Sequence, residues 1–182
     1  LAQLNLTEET YRRAMADGLT VQKTLALAPG RYQVRMAARE GMRSLLGSAS
    51  RWIEIPDVAA RPLTLSSVFL LADAGPGARD LTDVQVDRRL RPGQGLHYVV
   101  QLYASSPGTL AAGATLQAQV WQGSRLVGVT PKHELTPALG EATAKWSERI
   151  SLDGFVAGTY ELRVMATAGS EKAERRVSFI VE

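Results

Sequence analysis

The stretch "PGRYQVRMAARE" (Pro29–Glu40) is written a second time near the other end of the chain as "AGTYELRVMATAG" (Ala157–Gly169). In the first copy Tyr32, Val34, Met36 and Ala38 fall on one phase, and Arg31, Gln33, Arg35 and Arg39 on the other. A period of two with polar residues on one side reads as a half-buried β-strand. The second copy repeats the pattern with Tyr160, Leu162, Val164 and Ala166. In each copy Gly-x-Tyr opens the strand, which fits a tyrosine corner, where the hydroxyl bonds back to the preceding turn. Tyr32 and Tyr160 are therefore expected to be structural core tyrosines.

Other alternating runs surround these two. They are "GLHYVVQLY" (Gly95–Tyr103), "TLQAQVW" (Thr115–Trp121), "RWIEI" (Arg51–Ile55) and "RRVSFIV" (Arg175–Val181). "TLSSVFLLA" (Thr64–Ala72) is more continuously apolar, and "QGSRLVG" after Trp121 has the turn chemistry of a hairpin. The one strong helix signal is "TEETYRRAMADG" (Thr7–Gly18), with Thr7 as N-cap, acids in the first turn and Gly18 as the stop. Many short strands with Gly and Pro between them predict an all-β protein of immunoglobulin-like sandwiches, with one short helix near the N-terminus.

The repeat divides the chain. Gly30 and Gly158 lie 128 residues apart, each phrase follows a short apolar segment, and each leads through a loop to a closing strand, "WIEIPD" or "VSFIVE". The copies read as the same closing portion of two related domains. Residues 1–57 are expected to be the C-terminal half of a first sandwich, 58–61 a linker, and 62–182 a complete second sandwich. The same offset places the start of the first domain roughly 65 to 70 residues before Leu1. Half a sandwich has too little core to be stable alone, so residues 1–57 are expected to be completed by other strands, from elsewhere in the protein or from a neighbouring subunit. Leu1 is not a Met and no signal peptide precedes it, so it reads as a cleavage point or an artificial boundary.

Composition narrows the chemistry. Twenty-one Lys plus Arg against 18 Asp plus Glu leave a net charge of +3, too little for a nucleic-acid-binding field. The absence of Cys removes thiol catalysis, Cys-ligated zinc and disulfides. No apolar run approaches the ~18 residues of a membrane span. His97 and His133 lack ligand spacing, and His97, out of phase with Leu96, Tyr98 and Val100, is expected to face solvent or bond locally. Neither His has an acid partner identifiable from sequence, and Ser48 and Ser50 lack the nucleophile-elbow glycines, so no hydrolase triad is expected. Asp73, Asp80, Asp83 and Asp87 are spaced too loosely for a calcium loop. No cofactor and no metal site is expected. Arg31, Arg35 and Arg39, with Arg163 and Arg176, form rows read as a charged solvent face. Trp52 and Trp121 fall on the outward phase of their strands and are candidate interface aromatics.

With "PGRYQVRMAARE", "GSASRWIEIPD", "LTLSSVFL", "LQAQVWQGSRLVG" and "GTYELRVMATAGSEKAERRVSFIVE" in this order, the chain resembles the C-terminal immunoglobulin-like region of the secreted von Willebrand factor A-related (VWFA-related) proteins of acidobacteria. The resemblance implies an exported protein, secreted or in the cell envelope, with an upstream A-type domain. That family's metal-binding Asp-x-Ser-x-Ser loop has no counterpart here, so no metal-site residue carries over. The expected function is non-enzymatic: a structural or interaction module acting through protein–protein contacts, with homo-oligomer or filament formation among its outcomes. The alternative is a carbohydrate-binding accessory domain of a secreted hydrolase.

Overall fold

A computed structural model describes residues 6–18, 21, 23–39, 45–71, 88–91, 93, 95–138 and 140–182. The chain is mostly strand. It opens with helix α1 (Glu8–Asp17), capped as its sequence dictates. Thr7 Oγ1 accepts from the Thr10 N–H at 3.3 Å, Glu8 and Glu9 sit at the positive end of the helix dipole, and the Gly18 N–H closes on the Ala14 carbonyl. Strands β1 (Gly30–Arg39) and β2 (Leu46–Ile55) follow as an antiparallel hairpin, a two-stranded sheet of its own among the described residues.

Residues from Leu63 onward build a β-sandwich. Among the described residues one sheet has four strands: β3 (Leu63–Leu65) and β4 (Phe69–Leu71) pair with β6 (Gly95–Ala104), which also pairs with β10 (Thr143–Ser151). The other has six, in the order β5 (Arg89–Leu90), β12 (Glu171–Val181), β11 (Gly158–Ala168), β7 (Ala114–Gln122) and β8 (Arg125–Val129), with β9 (His133–Leu135) also on β7. Alternation puts Leu116, Ala118 and Val120 of β7, Leu162, Val164 and Ala166 of β11, and Val177, Phe179 and Val181 of β12 on one inner face. Leu65, Leu96, Tyr98, Val100 and Leu102 meet them from the smaller sheet in a single core. Each fully buried Leu, Val or Phe contributes roughly 1.5–3 kcal/mol, so this face is what holds the sandwich closed.

Three details add to or correct the sequence reading. The continuously apolar run holds two strands, β3 and β4. Leu65 lies opposite Leu102 and Phe69 opposite Val99, so one extra residue is inserted between them. Ser66 holds this bulge by accepting the Gln101 N–H on Oγ at 2.9 Å while its own N–H bonds the Gln101 carbonyl. Besides the expected short helix near the N-terminus, a five-residue helix, α2 (Pro107–Ala111), joins β6 to β7. Pro107 starts it in the position proline tolerates, and Leu110 is buried against the core. His97 is 2% exposed, not solvent-facing; its Nε2 shares a 2.7 Å hydrogen bond with Ser147 Oγ on β10. β6 is buried on both faces from Gly95 to Val100, and alternation along it marks which sheet face a residue takes rather than whether it is wet.

The repeat is visible in the register. In the β1–β2 hairpin Gly30 lies opposite Ile55 and Tyr32 opposite Ile53; in β11–β12 Gly158 lies opposite Val181 and Tyr160 opposite Phe179. Gly30 and Gly158 have φ of 152° and 154°, a region side chains avoid, which explains the glycine in both phrases. Tyr32 Oη donates to the Ala28 carbonyl at 2.9 Å, and Tyr160 Oη to the Val156 carbonyl at 2.7 Å, each four residues back.

Candidate interaction surface

The two hairpins differ in what covers them. In β11–β12 the face carrying Tyr160, Leu162, Val164 and Phe179 is buried under the four-stranded sheet. The equivalent face of β1–β2 lies open. Tyr32, Val34 and Ile53 are only half-buried, and Met36, in the position of Val164, is 62% exposed. A shallow depression of about 440 Å³ lies over the middle of this hairpin, lined mostly from the opposite, polar face by Gln33, Arg35 and Ala37 of β1 and Ser48 and Ser50 of β2.

On the opposite face the aromatic side chains are covered by cations. The Arg31 guanidinium lies 4.9 Å over the ring of Trp52, and that of Arg163 4.4 Å over Trp121. Such stacking contributes about 0.5–1 kcal/mol at an exposed site. Trp52 is 55% exposed; Trp121 is half-buried and donates its Nε1–H to Gln119. The arginine rows separate in the same way. Arg163 is held by Glu161 at 2.6 Å and Arg176 by Glu174, whereas Arg31, Arg35 and Arg39 form no ion pair among the described residues. Among the described residues Arg35 reaches Gln33, which stands where the second copy has Glu161.

A second constellation sits at an edge of the sandwich. Glu148 of β10 points inward with Trp146 and Ile150, and its carboxylate gathers three donors. Tyr98 Oη donates to Oε2 at 2.7 Å, His133 Nε2 to Oε1 at 2.9 Å, and Trp146 Nε1 to Oε2 at 3.5 Å. The His133 and Trp146 rings lie 4.7 Å apart. His133 therefore has an acid partner, which corrects the sequence reading. The residues are 15 apart on different sheets, so their meeting follows from closure of the sandwich and not from a local motif. The legible sign was Glu148 itself, a charge on the apolar phase of β10. Among the described residues no serine or threonine hydroxyl is bonded to these four side chains.

Burial, followed by the bond to Glu148, pushes the Tyr98 hydroxyl far above its usual value. A group raised in this way keeps its full contribution to stability below the unfolded-state value of about 10 and loses it as pH rises toward the folded-state value. Stability is thus expected to fall steadily above about pH 10. Tyr98→Phe should lower stability at neutral pH by about 1.5–3 kcal/mol and flatten that alkaline slope, read from urea unfolding at pH 7 to 11. An unchanged slope would show that Tyr98 does not carry it.

The remaining candidates are placed simply. Ser48 and Ser50 are exposed on β2, facing Ala37 and Arg35. Asp73, Asp80, Asp83 and Asp87 lie outside the described residues. Among the described residues no three His, Asp or Glu side chains converge as a metal site, and no helix is long and apolar enough to cross a membrane.

No protein-family model matches the chain, and no curated protein matches it. Among solved structures it is similar to a β-glucosidase involved in saponin metabolism from intestinal bacteria, at 14% identity and a TM-score of 0.41, over 68% of this chain and 16% of that one. It is also similar to a β-glucosidase from Listeria innocua (16% identity, TM-score 0.39, 66% and 16%) and to a family 123 glycoside hydrolase from Clostridium perfringens (14%, 0.39, 66% and 27%). The chain spans between about a sixth and about a quarter of the length of these enzymes.

Proposed function

We propose that this chain is a non-enzymatic structural and interaction module of a secreted or cell-envelope bacterial protein, of the VWFA-related kind its sequence resembles, acting through protein–protein contacts. The observation that carries the reading is the open apolar face of β1–β2, whose counterpart in β11–β12 is buried by a second sheet. An apolar sheet face of this kind is stabilised by whatever covers it. In this reading residues 1–57 are one side of a sandwich whose other side comes from the partner, and the module builds part of an extracellular assembly. The carbohydrate-binding alternative rests on Trp52, but a sugar would first have to displace Arg31 from its ring.

The test is oxidative footprinting of Met36, which is open to solvent in the isolated chain. Met36 is expected to oxidise readily in the purified chain and to be protected in the native secreted or envelope fraction. Equal oxidation in both would overturn the reading.

A further inference from the structure

We propose that the partner joins by strand addition: a β-strand of another polypeptide pairs antiparallel with the free edge of β1, in the register that β7 holds on β11. This rests on the interaction-module reading above and specifies how the contact is made. The template lies within the chain itself. β11 pairs with β12 on one side and, on the other, carries β7 in an eight-residue ladder from Glu161↔Trp121 to Ala168↔Ala114. β1 has the same partner on the same side, opened by the same Gly-x-Tyr, and its outer edge is unpaired among the described residues. That edge is ten residues long, without proline and without a shift in register, so nothing in it blocks a further strand. β12 offers a poorer template for the other edge, since among the described residues only the two-residue β5 pairs there.

The register specifies the donor's chemistry. Val120, Ala118 and Leu116 lie opposite Leu162, Val164 and Ala166, so the donor carries apolar residues opposite Val34, Met36 and Ala38. Gln119 and Thr115 lie opposite Arg163 and Thr167, whose places in β1 are taken by Arg35 and Arg39. In the second copy Glu161 neutralises Arg163 along the same strand; in β1 Gln33 cannot, and both arginines lack an ion pair among the described residues. The donor's intervening residues are therefore acidic, because opposite charges across a strand pair are favourable and like charges are not. The occupant is an alternating apolar–acidic strand, and its main-chain bonds supply the affinity.

The experiment uses the full chain and two synthetic peptides of the β7 sequence Ala114–Gln122, one with T115E and Q119E and one with T115K and Q119K. Amide hydrogen exchange is read along β1 and β2. The acidic peptide is expected to slow alternate β1 amides by about tenfold or more, leaving the outer β2 amides unchanged, and the basic peptide to bind roughly tenfold more weakly. Arg35→Glu, a change at an exposed position, should reverse the preference between the two peptides. If neither peptide protects β1, or protection falls on the outer edge of β2, strand addition is wrong. Met36 shielded in the native material would then still leave the interaction reading standing, whereas Met36 oxidised there would remove both. Protection of β1 that grows with concentration of the chain alone would make the donor a second copy and overturn the assignment to a different polypeptide.

Discussion

Phe179→Ala is expected to destabilise the sandwich by about 3–5 kcal/mol, and Ile53→Ala, at the matching position of the other hairpin, by no more than about 1 kcal/mol. Phe179 is 1% exposed and lies opposite Tyr160, with ring centroids 5.5 Å apart and planes 19° from parallel; Phe155 packs on the other part of Tyr160 at 5.2 Å. Removing the phenyl ring leaves a cavity at the centre of the core, which close-packed neighbours fill only in part. For a chain of this size such a loss lowers the melting temperature by roughly 8–15 °C. Ile53 has the same relation to Tyr32, but it is half-buried, so its truncation removes few contacts. Urea unfolding of the two variants checks the pair. Equal losses at both positions would show that the hairpin face is already covered in the isolated chain, and the case for a docking surface would fall with that result.

The strand architecture was legible because each inward residue of β7, β11 and β12 repeats every second position, and because Gly-x-Tyr marks the same turn twice. That signal depends on the residue alone. The break between β3 and β4 was not legible, since the rung that fails there is replaced by the Ser66 hydroxyl, and serine is equally at home in a turn, a strand or a bulge. Helix α2 is five residues long, too short for any helical period to emerge, although Pro107 and the Gly113 that follows, with φ of 98°, are its ordinary punctuation. Exposure was the least legible property. Val34 and Leu162 look alike in sequence, as do Tyr32 and Tyr160, yet one member of each pair is half-buried and the other buried. Nothing in a strand records whether a second sheet lies over it. The open hairpin, which carries the functional reading, is therefore visible only when the two copies are compared in space.

Glu148→Ala is expected to cost about 3 kcal/mol, and Glu148→Gln about 1 kcal/mol. The carboxylate joins the two sheets where neither closes on the other. β10 is an edge strand of the four-stranded sheet, and β9, which carries His133, lies at an edge of the six-stranded one. Oε1 takes the His133 bond and Oε2 those of Tyr98 and Trp146, so one side chain ties three elements across the seam. Tyr98 is fully buried, and without Glu148 its hydroxyl loses its acceptor in a place water does not reach. An unsatisfied buried donor costs about 1–3 kcal/mol, and the bonds lost to a charged acceptor add to it. Glutamine keeps one carbonyl oxygen, enough for Tyr98 but not for His133 as well, hence the smaller figure. The measurement is urea unfolding of both variants, with near-ultraviolet circular dichroism reporting on Trp146 and Tyr98. Stability of the alanine variant equal to that of the parent would mean that the cluster is not what holds the seam. The groove beside it, between β9 and β10, would then owe its shape to the core alone. A loss of the expected size assigns the His133–Glu148–Tyr98 set to architecture, a tie between the two sheets at their seam.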